Sequence, residues 1–480
     1  MNPAPHFYLW INNKAQEGIA TFRVCNPFNG KLVATVSMAG ETHVEAAIAS
    51  SVQAFAELKA MPRHARADLL LRMVDGFHEA RTEIIDALML EGGKPRAFAI
   101  QEFERTLAVF DWAAGEARRF VGEVIPVDGM ARGSDYEGYS RREPIGPVFG
   151  ICPFNFPLNL VAHKVAPAIA VGNPIIIKPA SSTPISAIIM ARIATQAGAP
   201  AGSVNVLPVH PEHLSSMLDD ERIRMISFTG SPAVGWDLKN RIGNKRIALE
   251  LGGNSGSIVD ESADLNWAAA RLALGGFAQA GQSCIAVQRI YVHRKIYDSF
   301  LSRLVAEAMT TKVGDPGEED VIVGPVINAD AADRIMAWIN EATDDGATIA
   351  CGGERLDLGC GNVIAPTVLT NVKADMKVSC QEVFGPVVCV SPFEDFEEAI
   401  KRTNDSSYGL QASVFTNNMA HAQYAIEALE VGGVIINDFP TYRVDNMPYG
   451  GVKHSGFGRE GTRYAMLEMS EEKMVVIRKA

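Results

Sequence analysis

Apolar and polar positions between residues 41 and 122 alternate with the period of an α-helix. The runs "THVEAAIASSVQAFAELKAM" (42–61), "RADLLLRMVDGFHEARTEIIDALML" (66–90) and "IQEFERTLAVFDWAAGEARRF" (100–120) carry apolar residues at i, i+3, i+4 spacing. From residue 147 the pattern changes. "PVFGICP", "NPIIIKP", "SVNVLP" and "RMISFTG" are short apolar runs closed by Pro or Gly, separated by helical runs such as "LNLVAHKVAPAIA" and "ISAIIMARIATQAG". Short buried strands alternating with helices predict parallel βαβ units, with ligands at the carboxyl ends of the strands. A second α/β series runs from 250 to about 440, with strand candidates "RIYV", "VVCVSPF", "SVFT" and "GVIIND". Two segments fit neither core: 123–146, and the tail "EEKMVVIRKA", both mixed polar and β-prone. A terminal apolar strand leaves a sheet edge that invites pairing, so these read as an oligomerisation arm.

Composition narrows the function classes. At 480 residues, 47% apolar and 21% charged, the chain can bury the cores of two or three globular domains. A net charge of −12 argues against nucleic acid or an anionic membrane as partner. The opening "MNPAPHFYLWINNKAQEG" lacks a basic start and apolar core, and "VAPAIAVGNPIIIKP" is broken well short of a membrane span. Seven cysteines (25, 152, 284, 351, 360, 380, 389) form no metal-binding spacing. That set suits free thiols in a reducing cytoplasm, without a structural metal.

Five stretches hold residues suited to chemistry. In "FAQAGQSCIAVQRIYV" (277–292), Cys284 stands on small, polar, turn-forming ground ahead of a strand. A thiol acts as a nucleophile when ionised near donors, and as a packing residue otherwise. In "RIALELGGNSG" (246–256), Glu250 lies inside an apolar strand, where a raised pKa would suit a general base; a strand-end Glu facing solvent is the alternative. "GICPFNFPLNL" (150–160) places Asn155 at a strand end, either as an oxyanion donor or as a turn former. "ISFTGSPAVGWDLK" (226–239) closes a strand with Gly230-Ser231 and opens a helix through Gly235. A phosphate could rest there, although the spacing is neither a Rossmann fingerprint nor a P-loop. Lys178 ends the strand in "IIIKPASSTP" (175–184), reaching ribose or phosphate, or snorkelling to solvent.

Together these stretches resemble the aldehyde dehydrogenase superfamily. The motifs occur in order along nearly the whole chain: "PFNFPL" (153–158), "KPASSTP" (178–184), "FTGSPAVG" (228–235), "LELGG" (249–253), "GQSC" (281–284), "QEVFGPV" (381–387) and "PYGGVKHSGFGREG" (448–461). Glu250 precedes Cys284 by 34 residues, close to the family's own spacing. The resemblance implies a Rossmann-like NAD(P)-binding domain (1–122 with 140–250), an α/β catalytic domain (251–448) and a small β oligomerisation arm (123–139 with 449–480). It implies that Cys284 attacks the aldehyde, that Asn155 with the Cys284 amide forms an oxyanion hole, and that Glu250 activates water against the thioester. It assigns Lys178 to the adenosine ribose, Gly230, Ser231 and Gly235 to the pyrophosphate turn, and Glu382 and Phe384 to the nicotinamide ribose and ring. Cys152, Pro153, Phe154, Phe228, Leu251 and Gly252 are the further implied cofactor contacts. Where NAD-preferring members often carry Glu, this chain has Ser181, which tilts the expectation toward NADP over NAD.

The resemblance also bears on the substrate. By position, Phe156, Asn159 and His163 are expected along one wall of the substrate tunnel, with Tyr449 near another. Arg105 on a bordering helix and Arg443 on the closing loop suit an anionic group, unless either is a structural ion pair. "VAHKVAP" with "TYRVDNMPYGG" is similar to the branch of lactaldehyde, sulfolactaldehyde, phosphonoacetaldehyde and non-phosphorylating glyceraldehyde-3-phosphate dehydrogenases. A homodimer or homotetramer oxidising a short, hydroxylated or anionic aldehyde is the expectation. A CoA-acylating semialdehyde dehydrogenase, a catalytically idle homologue and a nucleotide-free cysteine hydrolase are the rivals.

Overall fold

The structure is a computed structural model that describes residues 4–479. The helical period of the N-terminal third resolves into four helices, Glu41–Ala60, Arg63–Glu79, Arg81–Gly92 and Arg96–Arg119. The run read as one helix over 66–90 breaks at Ala80 (φ −89°, ψ 8°). Neither Gly nor Pro marks that break, and the apolar spacing continues through it, so periodicity alone missed it.

The first sheet has eight strands. Five are parallel and lie in the order Arg246–Glu250, Met225–Thr229, Val148–Ile151, Ile175–Lys178 and Val204–Val206. The chain enters at Val148–Ile151, winds outward through 175–178 and 204–206, then returns to 225–229 on the other side. Strand order therefore reverses between 148–151 and 225–229, and the crevice for a ligand opens at their carboxyl ends. The second sheet has seven strands, six of them parallel, with Ser255–Val259 and Val287–His293 adjacent near its centre. All five residues of 225–229 and of 255–259 are buried, as sheets covered on both faces require.

Two helices begin inside the protein without a side-chain cap of their own, Asn159–Val171 and Ile185–Gln196. Their first amide groups would be orphaned donors. Glu102 accepts from Leu158 and Asn159 at 2.9 and 3.0 Å, and Glu91 from Ile185 and Ser186 at 2.8 and 3.1 Å. Both acceptors come from the helical array some 60 to 90 residues earlier in the chain, and Glu102 places negative charge where the helix dipole favours it. Burial still raises the Glu91 carboxyl to about 8, against the lowering effect of those two amides. Glu102 is neutralised by Lys94, with which it forms a buried ion pair.

The tail and the 123–146 segment pair with each other. Ser470–Arg478 runs antiparallel to Tyr136–Pro144 over nine residue pairs, with Val124–Ile125 on the far edge. This three-stranded sheet holds out Val124, Met474, Val476 and Ile477. Its extent differs from the expected boundaries. The strand 136–144 runs past residue 140, and residues 449–469 lie outside this sheet: Gly456–Phe457 pairs with Arg246–Glu250 at the edge of the first sheet, and helix Thr462–Glu468 packs on helix 159–171. Among the described residues no helix is long and apolar enough to cross a membrane.

Replacing Glu102 by Ala would leave Lys94 charged and unpaired in the interior and two helix amides without an acceptor. Breaking a buried pair this way costs about 3–5 kcal/mol. Chemical denaturation should show a loss of that size for Glu102→Ala, against little change for an exposed control such as Glu261→Ala.

Candidate functional site

The carboxyl end of strand 148–151 and the segment before strand 287–293 meet between the two sheets. Asn155 is the contact. Its carbonyl accepts from Gln279 Nε2 at 2.6 Å, and its Nδ2 donates to the Gln282 carbonyl at 3.0 Å. Between those anchors the chain takes three consecutive left-handed residues, Gln279 (φ 53°), Ala280 (φ 55°) and Gly281 (φ 67°). Gly281 is required, since a Cβ there would lie 2.1 Å from the Gly385 carbonyl oxygen. The two non-glycine residues cost roughly 1–3 kcal/mol each and persist because the surroundings over-determine them. Gln282 supplies much of that restraint, accepting from the Ile327 amide at 2.9 Å and donating to Pro325. The product of the strained turn is the placement of Cys284. Its own amide donates to no acceptor among the described residues, and Asn155 Nδ2 keeps a second hydrogen free of the Gln282 bond.

Cys284 opens onto a funnel of about 370 Å³ whose wall includes Arg105, Phe156, Asn159, Arg271, Arg443 and Tyr449. Its Sγ lies 3.0 Å from the Tyr449 hydroxyl. Burial pushes the thiol up to about 12; the Tyr449 hydrogen bond and the charge of Arg443 pull it down, while Glu382 and Glu250 push it further up. Glu250 ends strand 246–250 with both carboxylate oxygens buried and unpartnered. It lines a separate, much smaller cavity, together with Ser227, Arg459 and Glu460. Burial first, then the negative charge of Glu460, raise its carboxyl well above the ordinary range. A carboxyl with a raised pKa binds its proton more firmly, so it serves as a base only once ionised and is then a stronger one than an ordinary carboxylate.

A second crevice lies at the switch point of the first sheet. Helix Pro232–Arg241 begins at Ser231, whose side chain makes no cap, so its first amides stay available. Cβ atoms on Gly230 or Gly235 would lie 2.6 Å from the Phe228 ring and 2.4 Å from Leu251, so these glycines keep the turn tight against the core. Across the crevice, Glu382 accepts from the Gly253 amide at 2.9 Å, and a Cβ on Gly252 would fall 2.2 Å from its carboxylate. Burial raises Glu382 to about 7. Phe384 holds a left-handed φ of 50° and meets Phe154 edge-to-face at 5.8 Å. Lys178 is largely buried, with its Nζ 3.3 Å from the Pro179 carbonyl, whereas Ser181 is exposed.

Several expected contacts fall elsewhere. Cys152, Phe228 and Leu251 turn their side chains into the core, where they shape the crevice from behind. Pro153 stays half-buried at the strand end. His163, expected on the tunnel wall, is 1% exposed and is not in the funnel. Its Nε2 lies 2.8 Å from Asp445 and 3.2 Å from Arg443. Arg105 and Arg443 do border the funnel, but neither is an unpaired cation. Arg105 forks onto Asp445 through Nε and Nη2 at 3.1 and 2.6 Å, and Arg443 donates to Glu460 at 2.8 Å. Burial lowers His163, with the charge of Arg443 adding to it, while Glu460 and Asp445 act against them. Burial alone would raise Glu460, but His163, Lys164 and Arg443 outweigh it and hold the carboxyl low, near about 2.

The sequence reading passed over Asp445, Glu460, Lys164 and Arg271. Lys164 donates to Ser227 and Thr229 at 3.0 and 2.8 Å and stands 3.6 Å from Glu460. Arg271 forks onto Asp438 at the mouth of the funnel, with its guanidinium 3.8 Å from the Phe439 ring centre. A charged residue inside the apolar run "LVAHKVAPAIA" was the one available signal for Lys164.

Comparison with known proteins agrees with this architecture. A family model described as the aldehyde dehydrogenase family matches residues 11–475. A 3-sulfolactaldehyde dehydrogenase of Priestia aryabhattai is 39% identical over 470 residues, covering 98% of this chain and 97% of the relative. A lactaldehyde dehydrogenase of Methanococcus aeolicus is 35% identical, covering 98% of both chains. The crystal structure of aldehyde dehydrogenase 21 from Physcomitrella patens, in complex with the reaction product succinate, superposes with a TM-score of 0.97 at 42% identity, over 100% of this chain and 99% of that one.

Proposed function

The chain belongs to the aldehyde dehydrogenase family, and from that premise we propose that it oxidises a short aldehyde bearing an anionic or hydroxyl group to the carboxylate, through a thioester on Cys284. The observation that supports this reading is the strained turn 279–281, tied to Asn155, which presents Cys284 to the funnel with an uncommitted amide, while the unpartnered carboxyl of Glu250 in the neighbouring cavity lies close enough for its charge to act on the thiol.

The thiolate of Cys284 adds to the aldehyde carbon to give a thiohemiacetal. Its amide and the second Nδ2 hydrogen of Asn155 are the donors suited to the developing oxyanion. When bound, the nicotinamide supplies the acceptor for the hydride that leaves the thiohemiacetal carbon. Glu250, once it has given its own proton to solvent, takes a proton from water as that water attacks the thioester, and Cys284 departs as the thiolate. The crevice suits a dinucleotide. The uncapped start of helix 232–241 and its two glycines would hold the pyrophosphate, Lys178 the adenosine ribose, and Glu382 with Phe384 the nicotinamide side. Ser181 is exposed at the ribose end and brings no carboxylate against a 2′-phosphate, which favours NADP over NAD. A retained Glu250 speaks against CoA-acylating chemistry, which dispenses with a water-activating base. The exposed apolar residues of the 124–144 and 470–478 sheet suit a homodimer or homotetramer.

The substrate reading rests on unmatched donors. Arg443 Nε and Asn159 Nδ2 are buried without acceptors on residues that border the funnel, and Arg105 keeps Nη1 beyond its fork to Asp445. Unpaired buried donors cost about 1–3 kcal/mol each, which an acceptor-bearing substrate would offset. The relatives named for 3-sulfolactaldehyde and lactaldehyde, and the structure with bound succinate, fit that class.

Two measurements test this. In a nucleotide-reduction assay, Arg105→Ala should lose roughly 10- to 150-fold in kcat/KM for an anionic aldehyde such as sulfolactaldehyde, as removal of a charge-assisted contact implies. The loss for propanal should be small, and equal losses would mark Arg105 as structural. Ser181→Glu should lower the NADP/NAD ratio of kcat/KM; an unchanged ratio would place residue 181 away from the ribose.

A further inference from the structure

Resting on Cys284 as the nucleophile, we propose that the Tyr449 hydroxyl is the hydrogen-bond donor that stabilises and aims the Cys284 thiolate. The Oη–Sγ separation is 3.0 Å. Tyr449 is 3% exposed, packs against Ile285 and Leu410 beside Cys284, and its hydroxyl has no other partner among the described residues. A buried phenol that served only to fill space would do so as well without the oxygen, and burying that oxygen unpaired would be costly. While the thiol is neutral, either atom can donate. Once it ionises only the phenol can, and the bond becomes charge-assisted.

The surroundings fix the ring for this task. The Tyr449 amide donates to the Glu460 carbonyl at 3.0 Å, and the Glu460 amide returns a bond to the Tyr449 carbonyl at 2.6 Å. The Glu460 side chain in turn holds Arg443, whose guanidinium lies 3.7 Å from the centre of the Tyr449 ring. A cation over the ring draws electron density from the phenol, making its O–H a stronger donor. The titratable and charged groups facing the pair are Arg443, which favours the thiolate, and Glu250 and Glu382, which oppose it when ionised; Glu460 stands behind Arg443. Burial raises the Tyr449 phenol well above its ordinary range, so it keeps its proton when the thiol loses one. Arg443 thereby acts on the thiol through Tyr449 as well as bordering the substrate funnel.

The test is the pH dependence of iodoacetamide alkylation at Cys284, read by mass spectrometry of the peptide that contains it, in full-length enzyme without substrate. Tyr449→Phe keeps the ring over which Arg443 lies and removes only the donor. Losing a charge-assisted bond should move the alkylation midpoint up by about one to two pH units, a roughly 10- to 100-fold slower reaction at any pH below it. The kcat profile for propanal should move the same way. Superimposable wild-type and Tyr449→Phe curves would overturn the proposal. Should Tyr449→Phe fail to fold, 4-fluorophenylalanine at 449, which fills the hydroxyl's place without a donor, should raise the midpoint likewise, and an unchanged one would overturn it equally. A wild-type enzyme fully alkylated at Cys284 that still turns over would instead defeat the nucleophile reading, leaving the Tyr449 contact as a separate matter.

Discussion

Everything at the site depends on the double tie between Asn155 and the turn before Cys284. Asn155 follows strand 148–151 of the first sheet and the turn leads into strand 287–293 of the second, so the two hydrogen bonds to Gln279 and Gln282 join the carboxyl end of one sheet to the amino end of a strand in the other. Three left-handed residues in succession are tolerated only under such restraint. The turn's strain is balanced by buried polar bonds from Gln282 to Ile327 and Pro325, and its effect is to present a cysteine whose amide and thiol both face outward from regular structure. The crevice at the switch point and the funnel both open at this junction.

Around it runs a chain of buried charges, Arg105–Asp445–His163–Arg443–Glu460–Lys164, linking helices 96–119 and 159–171 to the loop and segment between 443 and 460. The His163 Nε2 cannot donate to Asp445 and accept from Arg443 at once, and the anionic partner wins. Arg443 is therefore left with donors in excess of acceptors. Removing an interior member such as Asp445 or Glu460 would strand its neighbours in a low-dielectric interior, whereas removing Arg105 at the funnel edge leaves Asp445 its contact with His163. Each arginine serves two ends: it is bound into the structure on one side and keeps unspent N–H groups on the other.

Much of this could be read from the order of residues. The βαβ alternation from 147 onward gave the five parallel strands of the first sheet and the crevice at their carboxyl ends, because strand, turn and helix signals are local. Cys284, Glu250 and Asn155 stood out because each residue type sat badly in its local context. Other features depended on pairings across the chain. Nothing near Asp445 announces that it accepts from Arg105, 340 residues away, and nothing in "VAHKVAP" shows that His163 faces inward to meet it. The break at Ala80, the pairing of 470–478 with 136–144, and the fastening of helices 159–171 and 185–196 by Glu102 and Glu91 were hidden for the same reason.

The central claim is that Cys284 carries the acyl group and Glu250 releases it. Glu250→Gln is nearly isosteric and keeps the buried position neutral, so it should stop at the thioester. The enzyme would be mixed with a saturating short aldehyde and NADP or NAD, quenched in acid and digested. The account predicts one equivalent of acyl group on the peptide containing Cys284, formed together with one equivalent of reduced nucleotide. Reduced nucleotide without acylated Cys284, or an acyl group on another residue, would contradict it.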